Sequence, residues 1–339
     1  MTGSSNAKQP SPDLFFETMN AYQRTAALKA ALELDLFTAI GANGQTADAL
    51  AEPLKVAPRG ARILCDYLVV IGFLTKQGDR YGLTPDSAVF LDRRSPAYLG
   101  GAMNFLGSPV VTRGFDDVAE LVRAGGRMTP DATIAPEHPV WVDFAKAMAP
   151  MMSRPAELLA DLAATDSTPV RKILDIAAGH GLFGIAMARR FTGAEIVALD
   201  WPNVLAVAEE NARQAGIADR YRCLPGSAFE VDFGQGFDLV LLTNFLHHFD
   251  AETCVGLLRR VRAALADSGR AIALEFVPDE SRVSPPMPAT FSLMMLATTP
   301  AGDAYTASEY ARMFGAAGFS SCETRPLPPT FQQAVIARR

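Results

Sequence analysis

The chain has 339 residues, 49% hydrophobic and 20% charged, with a formal net charge of −6. That is the profile of a soluble globular protein with enough apolar material for one or two cores. No run approaches the roughly 18 apolar residues of a membrane span, and the acidic balance without a dense Lys/Arg block makes a phosphate backbone a poor ligand, so neither membrane nor nucleic acid is expected as a partner.

The first residues, 1–12, lack a basic segment followed by an apolar one, so a short disordered tail is expected in place of a secretory signal. Cys65, Cys223, Cys254 and Cys322 have no paired spacing, and with His138 and His180 they form no ligand set; neither zinc nor a disulfide framework is expected, and a reducing cytoplasm is the default location. Composition shifts near residue 165, which predicts two units. From 15 to 40 the spacing predicts one long helix closed by Gly41 and Gly44. Its stretch 26–40 is too apolar all round to face water and so predicts a homodimer. Helices over 46–54 and 57–71 follow, then FLTKQGDRYGLT reads as two short strands about a Gly-Asp turn, a winged-helix pattern. The segment 95–133 mixes Gly, Pro and short helical pieces, and 139–164 is a continuous helix through Phe144, Met148, Met151 and Met152.

Beyond this point strands and helices alternate. Strands are predicted at 172–176, 195–199, 221–224, 237–243 and 271–277, helices at 182–190, 204–215, 251–266 and 308–317, and two final strand-like runs around Cys322 and 331–337. An open, mostly parallel, doubly wound α/β sheet follows.

The strand KILDI runs into Ala177-Ala178-Gly179-His180-Gly181 and, after Gly184, a helix, so glycines fall where the chain turns sharply and a ligand can approach the backbone. A nucleotide-like cofactor is the natural occupant. Gly179, Gly181 and Gly184 satisfy GxGxxG, and Asp200 closes the next strand, where an acid holds ribose hydroxyls. This pattern suits NAD as well as S-adenosylmethionine. Farther on, FDLVLLT leads into Asn244-Phe245-Leu246-His247-His248, which puts both histidines just past a strand's carboxyl end, the edge where such sheets place ligands. On residues alone the pair is open between a packing contact and a catalytic role, and Glu275, at another strand end, between capping a loop and orienting an imidazole.

Taken together, LKAALELDLFTAI, FAKAM, ILDIAAGHG, ALDWP, LHHFDAETCVGLLRRVRAAL, LEFVP and MLATTPAGDAYTASEYARMFGAAGF occur in an order and spacing that resemble the class I S-adenosylmethionine methyltransferases. More narrowly, the chain is similar to the dimeric small-molecule O-methyltransferases of plant caffeate and flavonoid metabolism and bacterial natural-product synthesis. The resemblance covers nearly the whole chain. It implies a Rossmann-like methyltransferase domain over 166–339, preceded by an α-helical winged-helix-like dimerisation domain over 13–100 and a helical connector over 101–165 that contributes to the substrate pocket.

The same resemblance implies S-adenosylmethionine as cofactor, held by Asp175, Ala177, Gly179, Gly181, Asp200, Trp201, Ser227, Ala228 and Asn244. It implies His247 as general base supported by Glu275, no metal, and a small hydroxylated acceptor, aromatic or polyketide-like, against Phe144, Met148, Met152, His248 and Met295, with Met151 and Met294 nearby. Three departures from the family pattern stand out: Ala177 and Ala178 stand for glycines, Gly226-Ser227 for a Gly-Asp pair, and Ala304, beside Asp303, for a second acid near the histidine. That last departure keeps C-methylation, or a non-methylating hydroxylase or pericyclase, as an alternative on the same fold. A winged-helix DNA-binding regulator and a nicotinamide oxidoreductase are the more distant readings.

Overall fold

The computed structural model describes residues 9–128 and 140–339. The start of the expected tail, the end of the segment 95–133, His138 and the first residue of the helix 139–164 lie outside them. Two compact units divide the chain, 1–103 and 104–339.

In the first unit the expected helix over 15–40 is three helices, α1 (Asp13–Met19), α2 (Ala21–Glu33) and α3 (Leu36–Ile40). The break before α3 is Asp35, at a left-handed φ of 57°, whose Oδ1 accepts from Thr38 Oγ1 at 2.7 Å and Arg93 Nε at 3.0 Å. Apolar spacing reports which face is buried but carries no record of a one-residue reversal that an aspartate tolerates. A second correction concerns what the apolar stretch is for. Ala31, Leu32, Leu36, Phe37 and Ile40 pack with Leu50, Cys65, Leu68 and Tyr81 in this unit's own core. The apolar side chains left exposed lie earlier, at Leu14, Phe15, Phe16, Met19 and Tyr22.

Strand β1 (Gln45–Thr46) leads into α4 (Ala47–Leu54), whose first turn is capped by Thr46 Oγ1 accepting from Ala49 N–H at 3.2 Å. After α5 (Pro58–Val70), strands β2 (Leu74–Gln77) and β3 (Arg80–Leu83) form the predicted hairpin, in a sheet ordered β1-β3-β2. A short helix, α6 (Pro85–Phe90), escaped the pattern reading, although Thr84 caps it and Pro85 starts it as helix-start rules anticipate.

The second unit opens with short helices α7 (Met103–Leu106), α8 (Pro109–Thr112) and α9 (Val118–Ala124), then the long α10 (Val140–Ala163). Next come β4 (Lys172–Ile176), α11 (Leu182–Arg190), β5 (Glu195–Asp200), α12 (Pro202–Gln214), β6 (Tyr221–Pro225), β7 (Phe237–Thr243), α13 (Ala251–Ala264) and β8 (Leu265–Glu275). Helices α14 (Pro286–Thr298) and α15 (Ala307–Ala316) precede β9 (Ser321–Pro326) and β10 (Gln333–Arg338).

The seven strands run β6-β5-β4-β7-β8-β10-β9, all neighbours parallel except β10, which is antiparallel to both β8 and β9. Successive side chains of a strand point to opposite faces, and the two cores follow that alternation. Leu174, Val240, Leu242 and Ala273 pack with Leu257, Leu258, Tyr310 and Phe314 on one side. Ile173, Leu239, Leu241 and Leu274 pack with Leu159, Phe183 and Leu205 on the other.

Strand β8 begins at Leu265, earlier than the apolar run, because Leu265 pairs with Phe237 before a register shift admits the polar residues that follow. Helix α14 was not expected as an element, since its apolar residues surround it without a polar face to set a period. The strand order reverses about β4 and β7, so their carboxyl ends and that of β5 border the crevice where open α/β sheets bind ligands. Among the described residues no helix is long and apolar enough to cross a membrane.

Candidate active site

At those strand ends lies a cavity of about 460 Å³, within the usual range for small-molecule sites. Its floor is the turn after β4. Ala177, Gly179 and Gly181 all have positive φ, at 55°, 57° and 75°. At Ala177 the family's usual glycine would be unstrained, and an alanine there costs roughly 1–2 kcal/mol. Asp200, closing β5, ties the turn in place: its Oδ2 accepts from Gly179 N–H at 2.8 Å and its Oδ1 from Trp201 N–H at 2.7 Å. Burial lifts the Asp200 carboxyl to about 6, with those two N–H groups pulling the other way. Ala177, Gly179, Asp200, Trp201, Ser227, Ala228 and Asn244 all line the cavity.

Asp175 and Gly181 are not among the residues that line the cavity. Asp175 is fully buried, and its Oδ2 accepts from Gly184 N–H at 3.0 Å, so it braces the start of α11 from beneath the turn. Among the described residues its Oδ1 has no hydrogen-bond partner, and burial raises the carboxyl to about 7. Gly181 faces packing, because a Cβ there would sit 2.7 Å from the Tyr221 hydroxyl and 3.0 Å from the Ala208 methyl. Spacing identifies the residues of a turn but not which side of it each faces.

The second half of the site forms where β7 meets β8. Asn244 leaves β7 at a φ of 55°; its Nδ2 lies 3.7 Å from Met152 Sδ, and its Oδ1 accepts from Gln332 Nε2. Glu275, the last residue of β8, is wholly buried and accepts at both oxygens. Oε1 takes Phe245 N–H at 3.0 Å and Leu246 N–H at 2.9 Å, and Oε2 lies 2.5 Å from His247 Nδ1. A carboxylate already holding two backbone donors is an acceptor for the third, which places the imidazole hydrogen on Nδ1 and leaves a lone pair on Nε2.

His247 is itself buried, its ring edge-on to Phe291 at 4.9 Å and 4.4 Å from that of His248 between centroids. It is His248 that lines the cavity, with Phe144 and Met152 from α10. Of the other expected acceptor contacts, Met295 is buried inside the unit and Met148 is half-buried on α10, and neither lines the cavity; Met151 and Met294 are also half-buried.

Residues not anticipated for the site are Trp141, one helical turn before Phe144 and edge-on to both Phe144 and His248, and Phe229, Phe245 and Phe249 around the histidines. The i, i+3 spacing of Trp141 and Phe144 was the available signal. His180 is another: it lines the cavity with its Nδ1 accepting from Leu182 N–H, and burial pushes it down to about 4, so it is neutral at pH 7.

Asp303, beside the missing second acid, is otherwise engaged. Its Oδ2 receives Arg282 Nη1 at 3.0 Å, its Oδ1 receives Ala304 N–H at 2.8 Å, and Arg282 also grips Glu309. It stands in for nothing at His247, whose one carboxylate partner among the described residues is Glu275.

Comparison with known proteins agrees with this architecture. Residues 139–320 match the model of an O-methyltransferase domain, and residues 16–93 that of an O-methyltransferase dimerisation domain. The chain is 28% identical to the tetracenomycin polyketide synthesis 8-O-methyltransferase of Streptomyces glaucescens, over 96% of this chain and 95% of that one. A crystal structure from Nostoc punctiforme assigned to the O-methyltransferases superposes with a TM-score of 0.95 at 54% identity, covering 98% of this chain and all of that one. Human N-acetylserotonin methyltransferase, solved with S-adenosylmethionine, shares the fold at a TM-score of 0.84 and 22% identity, over 100% and 99% of the two chains. With the family's domain spanning more than half of its length and the strand-end cavity in the expected place, this chain belongs to the O-methyltransferases that carry an N-terminal dimerisation domain.

Proposed function

We propose that the protein transfers the methyl group of S-adenosylmethionine to a hydroxyl of a small aromatic or polyketide-like molecule, with His247 as general base. The observation that carries this reading is the arrangement at Glu275, whose three accepted hydrogen bonds fix the His247 ring and leave Nε2 as the basic atom.

The residues present fit the cofactor. Both Asp200 oxygens keep a free lone-pair direction for a ribose hydroxyl beyond the backbone N–H each accepts. A Cβ built on Gly179 would meet nothing closer than 3.9 Å, so the turn leaves room for a ligand against its backbone. Ser227 and Ala228 would border the adenine, Trp201 the ribose, and Asn244 the methyl-donor end. When bound, the cofactor supplies an electrophilic methyl group on a positively charged sulfur.

His247 Nε2 takes the acceptor's proton as its oxygen forms the new bond, and Glu275 stabilises the resulting imidazolium while holding its orientation. Phe144 and Met152 supply an apolar wall against a flat ring. The exposed apolar face of Leu14, Phe15, Phe16, Met19 and Tyr22, within and beside the matched dimerisation domain, is the surface through which two copies form a homodimer. Incubation with S-adenosylmethionine and a panel of phenolic and polyketide acceptors tests the reading: an O-methylated product supports it, and a panel that yields only C-methylated product contradicts it.

A further inference from the structure

We infer that Gln332 is a positioning residue for methyl transfer: it locks the Asn244 amide with its nitrogen toward Met152, and so makes the methyl-donor end of the cavity prefer a neutral sulfur to a positively charged one. The inference rests on S-adenosylmethionine being the cofactor and on Asn244 standing at its sulfur.

Gln332 immediately precedes β10, one residue before the Gln333 that pairs with Glu275. It is buried and is not among the residues that line the cavity. Its Nε2 donates to Oδ1 of Asn244, which leaves β7 at a left-handed φ of 55° and does line the cavity. Two facing amides can pair in either sense, since each carries a donor and an acceptor. Met152 decides between them. Its Sδ lies 3.7 Å from the other end of the Asn244 amide, and a thioether has no hydrogen to give, so that end is the nitrogen. The amide is thus held from both sides, by the start of β10 on its oxygen and by α10 on its nitrogen. That nitrogen carries two hydrogens, of which Met152 takes at most one.

During transfer the carbon–sulfur bond breaks with its electron pair left on sulfur, the acceptor oxygen forms the new bond to carbon, and its proton passes to His247. Sulfur changes from a cation, which an N–H dipole repels, to a thioether, which accepts a weak hydrogen bond as Met152 does. A donor fixed at this point therefore gains strength as the reaction proceeds. Interactions that are stronger in the transition state than in the ground state are the ones that raise the rate. Without Gln332 the amide can turn over and offer its carbonyl oxygen to the cation, which stabilises the ground state instead.

Calorimetric titration of the purified protein with S-adenosylmethionine and with S-adenosylhomocysteine reads this preference without turnover. In Gln332→Leu the ratio of the two affinities should move toward S-adenosylmethionine by at least about threefold, the scale of one weak hydrogen bond. Asn244→Asp keeps an acceptor for Gln332 and puts an oxygen where the nitrogen was, and should move the ratio the same way by about tenfold or more. A ratio unchanged in Gln332→Leu, a shift toward S-adenosylhomocysteine, or an equal weakening of both ligands would overturn the inference. Should Gln332→Leu fail to fold, Asn244→Asp decides alone, and an unchanged ratio there overturns it. If neither ligand binds the unmodified protein, the cofactor reading falls and the inference with it; if both bind and only the ratios fail to move, the cofactor reading stands and the role of Gln332 does not.

Discussion

Glu275 Oε2 lies 2.5 Å from His247 Nδ1, and the other oxygen of the same carboxylate holds the backbone N–H groups of Phe245 and Leu246. One buried side chain at the end of β8 thus sets both the path of the turn after β7 and the tautomer of the histidine on it. Glu275→Gln keeps the size but replaces one acceptor oxygen with a donor, so either the turn or the imidazole loses its partner. Turnover should fall by roughly a hundredfold, the scale of an impaired general base, with cofactor affinity in calorimetry unchanged. Loss of cofactor binding in step with turnover would show that Glu275 supports the whole site instead of the base.

Asp200 joins the glycine turn to β5 through two backbone N–H groups, and its carboxyl titrates at about 6 because it is buried. Cofactor affinity should therefore be level above pH 7 and weaken as pH falls through 6, where the carboxylate becomes protonated. Asp200→Ala also leaves the Gly179 and Trp201 N–H groups unpaired, and should weaken S-adenosylmethionine by at least about tenfold, or roughly 1.4 kcal/mol. Calorimetry across pH 5 to 8 checks both; affinity independent of pH and of the substitution would remove Asp200 from the cofactor site.

Asp175 gives a stability prediction of opposite pH sense to an ordinary salt-bridged carboxylate. Its carboxyl is raised by burial from an ordinary aspartate's value near 3.8 to about 7, so between those values the folded chain binds more protons than the unfolded one. The stability linked to this group is fully present below about pH 4 and is lost as pH rises through 7. Asp175→Asn keeps an oxygen for Gly184 N–H and carries no charge to bury. The melting temperature of the variant relative to the unmodified protein should rise from pH 5 to pH 8; a difference that is constant or falls would contradict a raised carboxyl.

Phe15 and Phe16 stand exposed by 61% and 57% on α1. Aspartate at both positions should convert a dimer to a monomer in light scattering while leaving the melting temperature of the isolated chain nearly unchanged, since neither side chain is in the core of its unit. A stable monomer of the unmodified protein at micromolar concentration would contradict the homodimer.

What the sequence revealed depended on the kind of signal available. Strand β7 was legible to the residue because its apolar run is bounded by Gly236 and Asn244, β4 because Arg171 and Lys172 precede its apolar run and the glycine turn follows closely, and α11 because the glycine turn marks its start. The split at Asp35 was not legible, since a left-handed aspartate leaves the apolar spacing on either side intact. Helix α14 was missed because it is apolar all round and lacks a polar face.

In the site, motif order identified the turn and the histidine pair, but not orientation. Asp175, near the end of β4, and Gly181, in the same turn as Gly179, pack beneath the turn instead. Met295 and Met148, expected at the acceptor from the family resemblance, are not among the residues that line the cavity, while Trp141 is. Period and composition locate a side chain on an element; only packing decides which way it points.

The most direct measurement is turnover of His247→Ala on an acceptor that the unmodified protein methylates on oxygen, with cofactor affinity measured in parallel. The proton to be removed belongs to a hydroxyl whose phenolic pKa is about 10, and Nε2 of His247 is the atom left basic by Glu275. The account predicts unchanged S-adenosylmethionine affinity and turnover lower by roughly a hundredfold or more, with a smaller loss for acceptors whose hydroxyls are more acidic, because an ionised oxygen needs no base. Full activity of His247→Ala, or a loss that does not depend on acceptor acidity, would contradict it.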